Sequence, residues 1–275
     1  MKAGLCTALL LVAALGGAPG SLAARETPPD PQVAPKGMDP KVWSLAMAAY
    51  DEARDRGVVK RQLLAVIDYS RPSRERRLWV VNMWSGEVEL HTWVAHGKGS
   101  GADTPSRFSN RRNSYASSVG VFVTGQSYWG EHGRALRLHG LERGVNDRAF
   151  ARGVVLHGSR YVSKEAAEKD GRIGRSLGCP AVAQEDAKLL VPMLEDGALL
   201  FVWYPDTHWL SRTKFIPDNM RVEAHALATL LAPLAPKRKK ATPARGATTT
   251  VAATTTNAPG AVVRTTTLGA SAAER

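Results

Sequence analysis

Seven short runs of apolar, β-branched and aromatic residues fill the middle of the chain, and they constrain its fold more strongly than any other feature. Polar or glycine-containing segments separate these runs, and one of them, Ser85-Gly86, is typical of a hairpin turn. The runs are Leu63–Tyr69, Leu78–Trp84, Val88–His96, Val119–Thr124, Leu136–Leu138, Val154–His157 and Ala198–Tyr204. Short strands with few helices between them predict a mainly β domain over residues 39–210.

Three segments are predicted to be helical: 40–56, about 185–195, and 219–232. The first begins at Asp39-Pro40, because aspartate caps a helix and proline is tolerated at its first position. Gly57 is a suitable stop. The last segment belongs to a predicted helical extension over residues 211–235.

The first residues are typical of a secretory signal. Lys2 supplies a positive start, and Leu5–Leu15 is apolar but too short to span a bilayer. Ser21-Leu22-Ala23 places small residues at a cleavage site, which predicts a signal peptide over 1–23 and no membrane span after cleavage. A proline-rich linker over 24–38 follows. We therefore expect an exported protein of the periplasm or cell wall.

The net charge of +12 is spread unevenly. Residues 236–275 carry +6 in a basic, Ala/Thr-rich tail that cannot bury a core, and we expect disorder there. The excess suits an anionic surface such as wall polymer. Nucleic acid would fit the charge too, but the export signal argues against it.

Cleavage of the signal would remove Cys6 and leave Cys179 as the single cysteine. An unpaired cysteine in an exported protein indicates a reactive thiol or an intermolecular disulfide, and the alternative is a small buried apolar side chain. Ser176 and Gly178 precede this cysteine, and small residues there would let a substrate carbonyl approach and leave backbone N–H groups for an oxyanion. Arg175 could favour the thiolate or bind a substrate carboxylate.

His157 ends an apolar strand and is followed by Gly158, so its imidazole can face a cleft from a rigid support. An imidazole near a thiol can take its proton and activate it as a nucleophile. The chain contains neither HExxH nor CxxC, so we expect no metal and no other cofactor.

The pattern His157-Gly158, a spacer, then Ser176-x-Gly178-Cys179 is joined by further motifs between about 60 and 205. These are His96-Gly97, Phe108-Ser109-Asn110, Ser114, Ser117-Ser118-Val119-Gly120, Tyr128, Gly130, His132-Gly133, Leu138, Gly140-Leu141-Glu142, Asn146, Arg152 and Tyr161-Val162-Ser163. Together they resemble the L,D-transpeptidase catalytic domain of the YkuD-like superfamily, and more closely its murein L,D-transpeptidase catalytic domain branch.

The resemblance implies a β-sandwich with a single catalytic domain and peptidoglycan stem peptides as substrate. Cys179 would attack the carbonyl at the L-centre of the diamino acid at stem position three, with His157 as general base, and D-alanine would leave. Ser176, Gly178 and Gly158 would shape the oxyanion site. An amine from another stem would resolve the thioester into a 3–3 cross-link; water would make the protein an L,D-carboxypeptidase. A non-catalytic wall-binding module is the remaining alternative.

The chain departs from the broad family pattern at Leu177, where a second histidine usually precedes Gly-Cys. His96 and His139 are the candidates to replace that histidine, or to contact substrate. Arg175 and Tyr161 are further candidates for substrate binding.

Overall fold

The computed structural model describes residues 32–231. The predicted signal peptide, most of the linker and the basic tail lie outside these residues. Within them, no helix is both long and apolar enough to cross a membrane.

Eight strands form one sheet in the order β3-β2-β1-β8-β4-β5-β6-β7. Their bounds are β1 Leu63–Asp68, β2 Leu78–Asn82, β3 Val88–Thr92, β4 Gly120–Gly130, β5 Gly133–Gly140, β6 Val155–Gly158, β7 Ala181–Val182 and β8 Leu199–Trp203. The pairs β1–β8 and β6–β7 are parallel, and the others are antiparallel. The prediction of a mainly β fold with a few helices is confirmed.

The sheet curls until its two edges meet. Beyond β3, the Ala95 N–H donates to the carbonyl of Ala181 in β7 at 2.7 Å, although β3 and β7 stand at opposite ends of the strand order. Ile67 of β1 and Leu156 of β6 consequently belong to one hydrophobic cluster. Strands from the two ends of the sheet face each other, as the predicted sandwich requires.

Both faces of the central strands are buried. Successive side chains of β1 point to opposite faces, so Leu64 and Val66 enter one cluster while Ala65 and Ile67 enter the other. The described residues form five helices: α1 Pro40–Asp55, α2 Lys164–Lys169, α3 Gln184–Leu194, α4 Thr207–Leu210 and α5 Asp218–Leu231. Helices α1, α4 and α5 contribute to the first cluster and α3 to the second.

Local sequence accounts for the helix limits. The Asp39 carboxylate accepts a hydrogen bond from the Lys41 N–H at 2.7 Å, and Pro40 is the first residue of α1, where its missing N–H is harmless. This helix ends at Asp55, close to the predicted limit of 56. Helix α3 starts at Gln184 without a side-chain cap.

The β4–β5 hairpin is much longer than the runs Val119–Thr124 and Leu136–Leu138 predict. It extends to a two-residue turn, Glu131-His132, because paired strands are stabilised by main-chain hydrogen bonds even where their side chains are exposed. Gly133 follows this turn with φ +80°, a conformation that favours glycine. The long loop over 97–118 is irregular, as predicted.

Candidate active site

Parallel pairing of β6 and β7 brings His157 and Cys179 to one place. His157 is 3% exposed and stands opposite Ala181, and its N–H donates to the Pro180 carbonyl at 3.4 Å. Cys179 precedes this pair by two residues, at the entrance to β7. Two residues separated by 22 positions in the chain thus become neighbours through strand register.

The thiol of Cys179 lies beside the beginning of β6. Its sulfur is 3.7 Å from the Gly153 carbonyl oxygen, and the Val155 N–H points toward it. Burial raises the pKa of the Cys179 thiol, while the Val155 N–H and the charge of Arg152 act in the opposite direction. The side chain remains partly exposed, so an electrophile can reach the sulfur.

The tautomer of His157 is set by its own strand end. Its Nδ1 lies 3.0 Å from the Gly158 carbonyl oxygen, which can only accept a hydrogen bond. Nδ1 therefore carries the hydrogen, and Nε2 keeps its lone pair as a base. Burial lowers the pKa of His157, and the nearby His132 lowers it further. Both effects keep the imidazole neutral at pH 7.

A hydroxyl closes the turn that carries the thiol. Ser176 Oγ donates to the Cys179 carbonyl at 2.6 Å and accepts from the Gly178 N–H at 3.0 Å. Gly178 has φ +132°, and a Cβ there would stand 3.0 Å from the Ala116 carbonyl oxygen, so glycine is required for conformation and space. Ser117 Oγ then holds the Gly178 carbonyl at 3.0 Å.

The two backbone N–H groups of this turn have different surroundings. The Gly178 N–H is engaged by Ser176, whereas the Cys179 N–H has no hydrogen-bond acceptor among residues 32–231. The Cys179 amide is the group left to receive a developing negative charge. Ser176 and Gly178 shape the site by holding that amide in place.

Gly158 acts through packing. A Cβ on this residue would approach the Ala187 Cβ to 3.0 Å and the Gln184 Cα to 3.1 Å, so glycine lets α3 lie against β6. The same residue supplies the carbonyl that orients His157.

Arg152 is a site residue to which the sequence assigns no role of its own. Its guanidinium donates to the carbonyls of Ser109 and Ala116, each at 2.7 Å, and to Ser118 Oγ at 2.7 Å. No acidic partner for it occurs in the described part of the chain. Its charge faces Cys179 and favours the thiolate. An arginine in a polar turn carries no local signal of such a role, because the thiol comes from a distant segment.

The other predicted candidates have different surroundings. Arg175 is exposed and donates to the Gly101 carbonyl at 2.8 Å, which fixes the loop beside the cysteine turn. Tyr161 is partly buried, and burial raises the pKa of its phenol, with a smaller contribution in the same direction from the charge of a Cys179 thiolate. Tyr161 thus remains a candidate for substrate contact.

His96 is fully buried, and its Nδ1 lies 2.8 Å from an Arg77 guanidinium nitrogen. Because that guanidinium can only donate, Nδ1 is the acceptor. Burial and the Arg77 charge lower the pKa of His96 to about 3, so this side chain is neutral and holds the structure around Arg77.

The ring stacked on His157 is that of His132, with centroids 4.6 Å apart and planes inclined by 23°. His139, the other candidate, is exposed and stacks on Phe150. Leu177 is 61% exposed. The second histidine beside the base thus comes from the tip of the β4–β5 hairpin, which sequence spacing does not reveal.

Within residues 32–231, no group of three His, Cys, Asp or Glu side chains is arranged to hold a metal ion. The chemistry available at the site is that of a thiol, a neutral base, an arginine charge and a backbone N–H. Such a set can form and resolve a thioester.

Comparison with known proteins identifies the family. The family described as the L,D-transpeptidase catalytic domain matches residues 34–203. A search of curated protein sequences gives no match.

Solved structures similar to this chain include an L,D-transpeptidase from Mycobacterium smegmatis, at 15% identity and a TM-score of 0.33, covering 52% of this chain and 59% of that one. An L,D-transpeptidase from Stackebrandtia nassauensis has 18% identity and a TM-score of 0.32, covering 60% and 67%. One from Mycobacterium tuberculosis H37Rv has 18% identity and a TM-score of 0.31, covering 52% and 58%.

The family match spans the strand that carries His157, the turn that carries Cys179 and the sheet that joins them. The chain therefore belongs to the L,D-transpeptidase catalytic domain family.

Proposed function

We propose that this chain is an exported peptidoglycan L,D-transpeptidase with Cys179 as its nucleophile and His157 as its general base. The observation that carries the proposal is the β6–β7 register. In this register His157 stands opposite Ala181, two residues after Cys179, and the His157 Nδ1 hydrogen is held by the Gly158 carbonyl. Nε2 is thereby left to accept a proton.

The first half of the reaction forms a thioester. The sulfur attacks the carbonyl carbon at the L-centre of stem residue three while its proton passes to His157 Nε2. The negative oxygen of the tetrahedral intermediate is stabilised by the Cys179 N–H. Collapse breaks the carbon–nitrogen bond, and the departing D-alanine amine takes the proton from His157.

The second half transfers the acyl group. An amine of another stem attacks the thioester and gives its proton to His157, the carbon–sulfur bond breaks, and the thiol regains a proton. The product is a 3–3 cross-link. Burial raises the thiol pKa and lowers the imidazole pKa, so the resting pair is uncharged and proton transfer accompanies the attack.

The test is mass spectrometry of products formed from tetrapeptide-stem muropeptides by mature protein, by Cys179→Ala and by His157→Gln. A cross-linked dimer lacking one D-alanine, absent with both variants, supports the transpeptidase. Tripeptide stems alone would assign water as the acceptor. No turnover together with an unreacted Cys179 would point to a wall-binding module instead.

A carbapenem gives a second readout. Stoichiometric acylation of the wild-type protein, abolished in Cys179→Ala while wall binding remains, is the expected result. Acylation that persists in the variant would remove Cys179 from its proposed role.

The export proposal rests on residues 1–23, and the anionic-polymer proposal on residues 236–275. Mass spectrometry of protein recovered from the envelope should find Ala24 as the first residue. A variant ending at residue 235 should bind purified wall polymer more weakly than the full chain, most clearly at low salt. An uncleaved N-terminus or unchanged polymer binding would contradict the respective proposal.

A further inference from the structure

The face of the sheet that carries His157 continues across β5 as a row of aromatic and cationic side chains, of which His139 and Phe150 are exposed and Tyr128 and Arg137 are half-buried. In the β5–β6 ladder Arg137 stands opposite Val155. Side chains alternate along a strand, so Arg137 and His139 share the face of Val155 and His157, while the Leu156 side chain enters the core.

The Arg137 guanidinium lies between two rings. Its central carbon is 4.4 Å from the Tyr128 ring centroid and 5.7 Å from that of Phe150. Phe150 in turn stacks on His139, with centroids 4.9 Å apart and planes inclined by 12°. These four residues, Tyr128, Arg137, His139 and Phe150, are called the outer strip below.

Two backbone groups connect the outer strip with the Cys179 thiol. The Val155 N–H that faces the Cys179 sulfur belongs to the residue directly opposite Arg137. Phe150 lies in the turn that ends at Gly153, whose carbonyl oxygen is 3.7 Å from the same sulfur. A peptide with its reacting carbonyl at Cys179 can therefore extend over the outer strip.

Arg137 is positioned to bind an anion. Among the described residues it takes part in no ion pair. The rings restrict the guanidinium, yet they do not occupy its N–H donors. Phe150 is 51% exposed, so an apolar surface lies next to the charge.

We propose that Arg137 binds a carboxylate of the stem peptide, with Tyr128 and Phe150 packing against the adjoining peptide chain. A guanidinium and a carboxylate form two parallel hydrogen bonds, which fixes direction as well as affinity. This subsite rests on the proposed function, since the occupant is taken to be the peptide that reacts at Cys179.

The experiment measures binding by calorimetry in a Cys179→Ala background, where no reaction consumes the ligand. The probes are a synthetic stem tetrapeptide with free carboxylates and the same peptide with its carboxylates converted to carboxamides. In the Cys179→Ala protein that keeps Arg137, amidation of the peptide should weaken binding about tenfold to a hundredfold, which is the range of a charge-assisted hydrogen-bonded pair. With Arg137→Gln, the two peptides should bind within about threefold of each other.

Arg212→Gln is the matched control, because Arg212 is an exposed arginine beside α4, away from the outer strip. It removes the same charge and should keep the discrimination. The subsite proposal is overturned if the proteins with and without the Arg137→Gln substitution discriminate equally between the free and the amidated peptide. It is also overturned if no peptide binding can be measured. Carbapenem acylation of an Arg137→Gln variant that retains Cys179 separates the two proposals. If this variant is acylated at the wild-type rate and peptide discrimination is unchanged, the subsite proposal alone is refuted. If neither the wild-type protein nor Arg212→Gln is acylated, the proposed transpeptidase function is refuted.

Discussion

Replacement of Ser176 by alanine should slow acylation of Cys179 while leaving the fold in place. The Ser176 hydroxyl makes two hydrogen bonds inside the cysteine turn, at 2.6 Å to the Cys179 carbonyl and 3.0 Å from the Gly178 N–H. A hydrogen bond of this kind contributes about 1 kcal/mol, so both together contribute about 2 kcal/mol. If that energy holds the turn in its reactive conformation, its loss corresponds to about 30-fold in rate.

The backbone of Ser176 stays anchored in the variant. Its N–H donates to the His96 carbonyl at 2.9 Å, and its own carbonyl accepts from the Lys98 N–H at 2.8 Å. We therefore expect a rate constant for carbapenem acylation lowered about 10- to 30-fold, with an unchanged far-ultraviolet circular dichroism spectrum.

Ser44→Ala is the control, because Ser44 also bonds a backbone carbonyl, that of Pro40 at 2.9 Å, but on the exposed side of α1. It should acylate at the wild-type rate. A Ser176→Ala rate within about threefold of wild type would refute the argument that this hydroxyl orders the nucleophile.

Three further predictions concern the pair at the site and the core beneath it. Burial raises the pKa of the Cys179 thiol and lowers the pKa of the His157 imidazole; the rate of Cys179 alkylation by iodoacetamide should therefore rise with pH and show its inflection above the range of an ordinary cysteine thiol, and an inflection well below that range would instead indicate a preformed ion pair. His132→Ala removes the ring stacked on His157 and should lower the acylation rate about threefold to tenfold, whereas His132→Phe keeps a flat ring and should lie closer to wild type; equal rates in all three proteins would show that the stack does not position the base. Glu142→Ala leaves two buried donors unpaired, a β4 backbone N–H at 2.7 Å and the Trp209 indole N–H at 3.0 Å, and should lower the free energy of unfolding by about 2–5 kcal/mol in a denaturant titration, with a loss below about 1 kcal/mol contradicting the assigned network.

The elements that local pattern specifies could be predicted from the sequence. The apolar run ending at His157 predicts strand β6, and it also marks the one ionisable side chain that this strand can present at its end. Asp39 and Pro40 define the beginning of α1 by the chemistry of helix caps. In each case the information lies within a few residues of the feature.

The partner of the imidazole could not be predicted in this way. His132 reaches His157 because β5 pairs with both β4 and β6 and a two-residue turn ends the β4–β5 hairpin at the right distance. His139 and His132 both belong to this hairpin arm, and only the register shows which ring reaches the base. Arg152 was missed for the same reason: its neighbours are carbonyls from the 109–118 segment, which no short pattern connects with it.

The proposed base and the proposed nucleophile lie on two different kinds of backbone at the parallel β6–β7 pair. His157 lies on a strand with neighbours on both sides, so its backbone is held by the ladder. Cys179 lies two residues before the first residue of β7, in a turn held by side-chain hydroxyls, and its amide is left unpaired among the described residues. An acyl carbonyl must approach sulfur and amide together, which a residue inside a paired strand would not allow, because its N–H would already be engaged. In the proposed reaction, a nucleophile before the start of one strand and a base on the neighbouring strand would together meet both requirements of thioester chemistry with one pair of parallel strands.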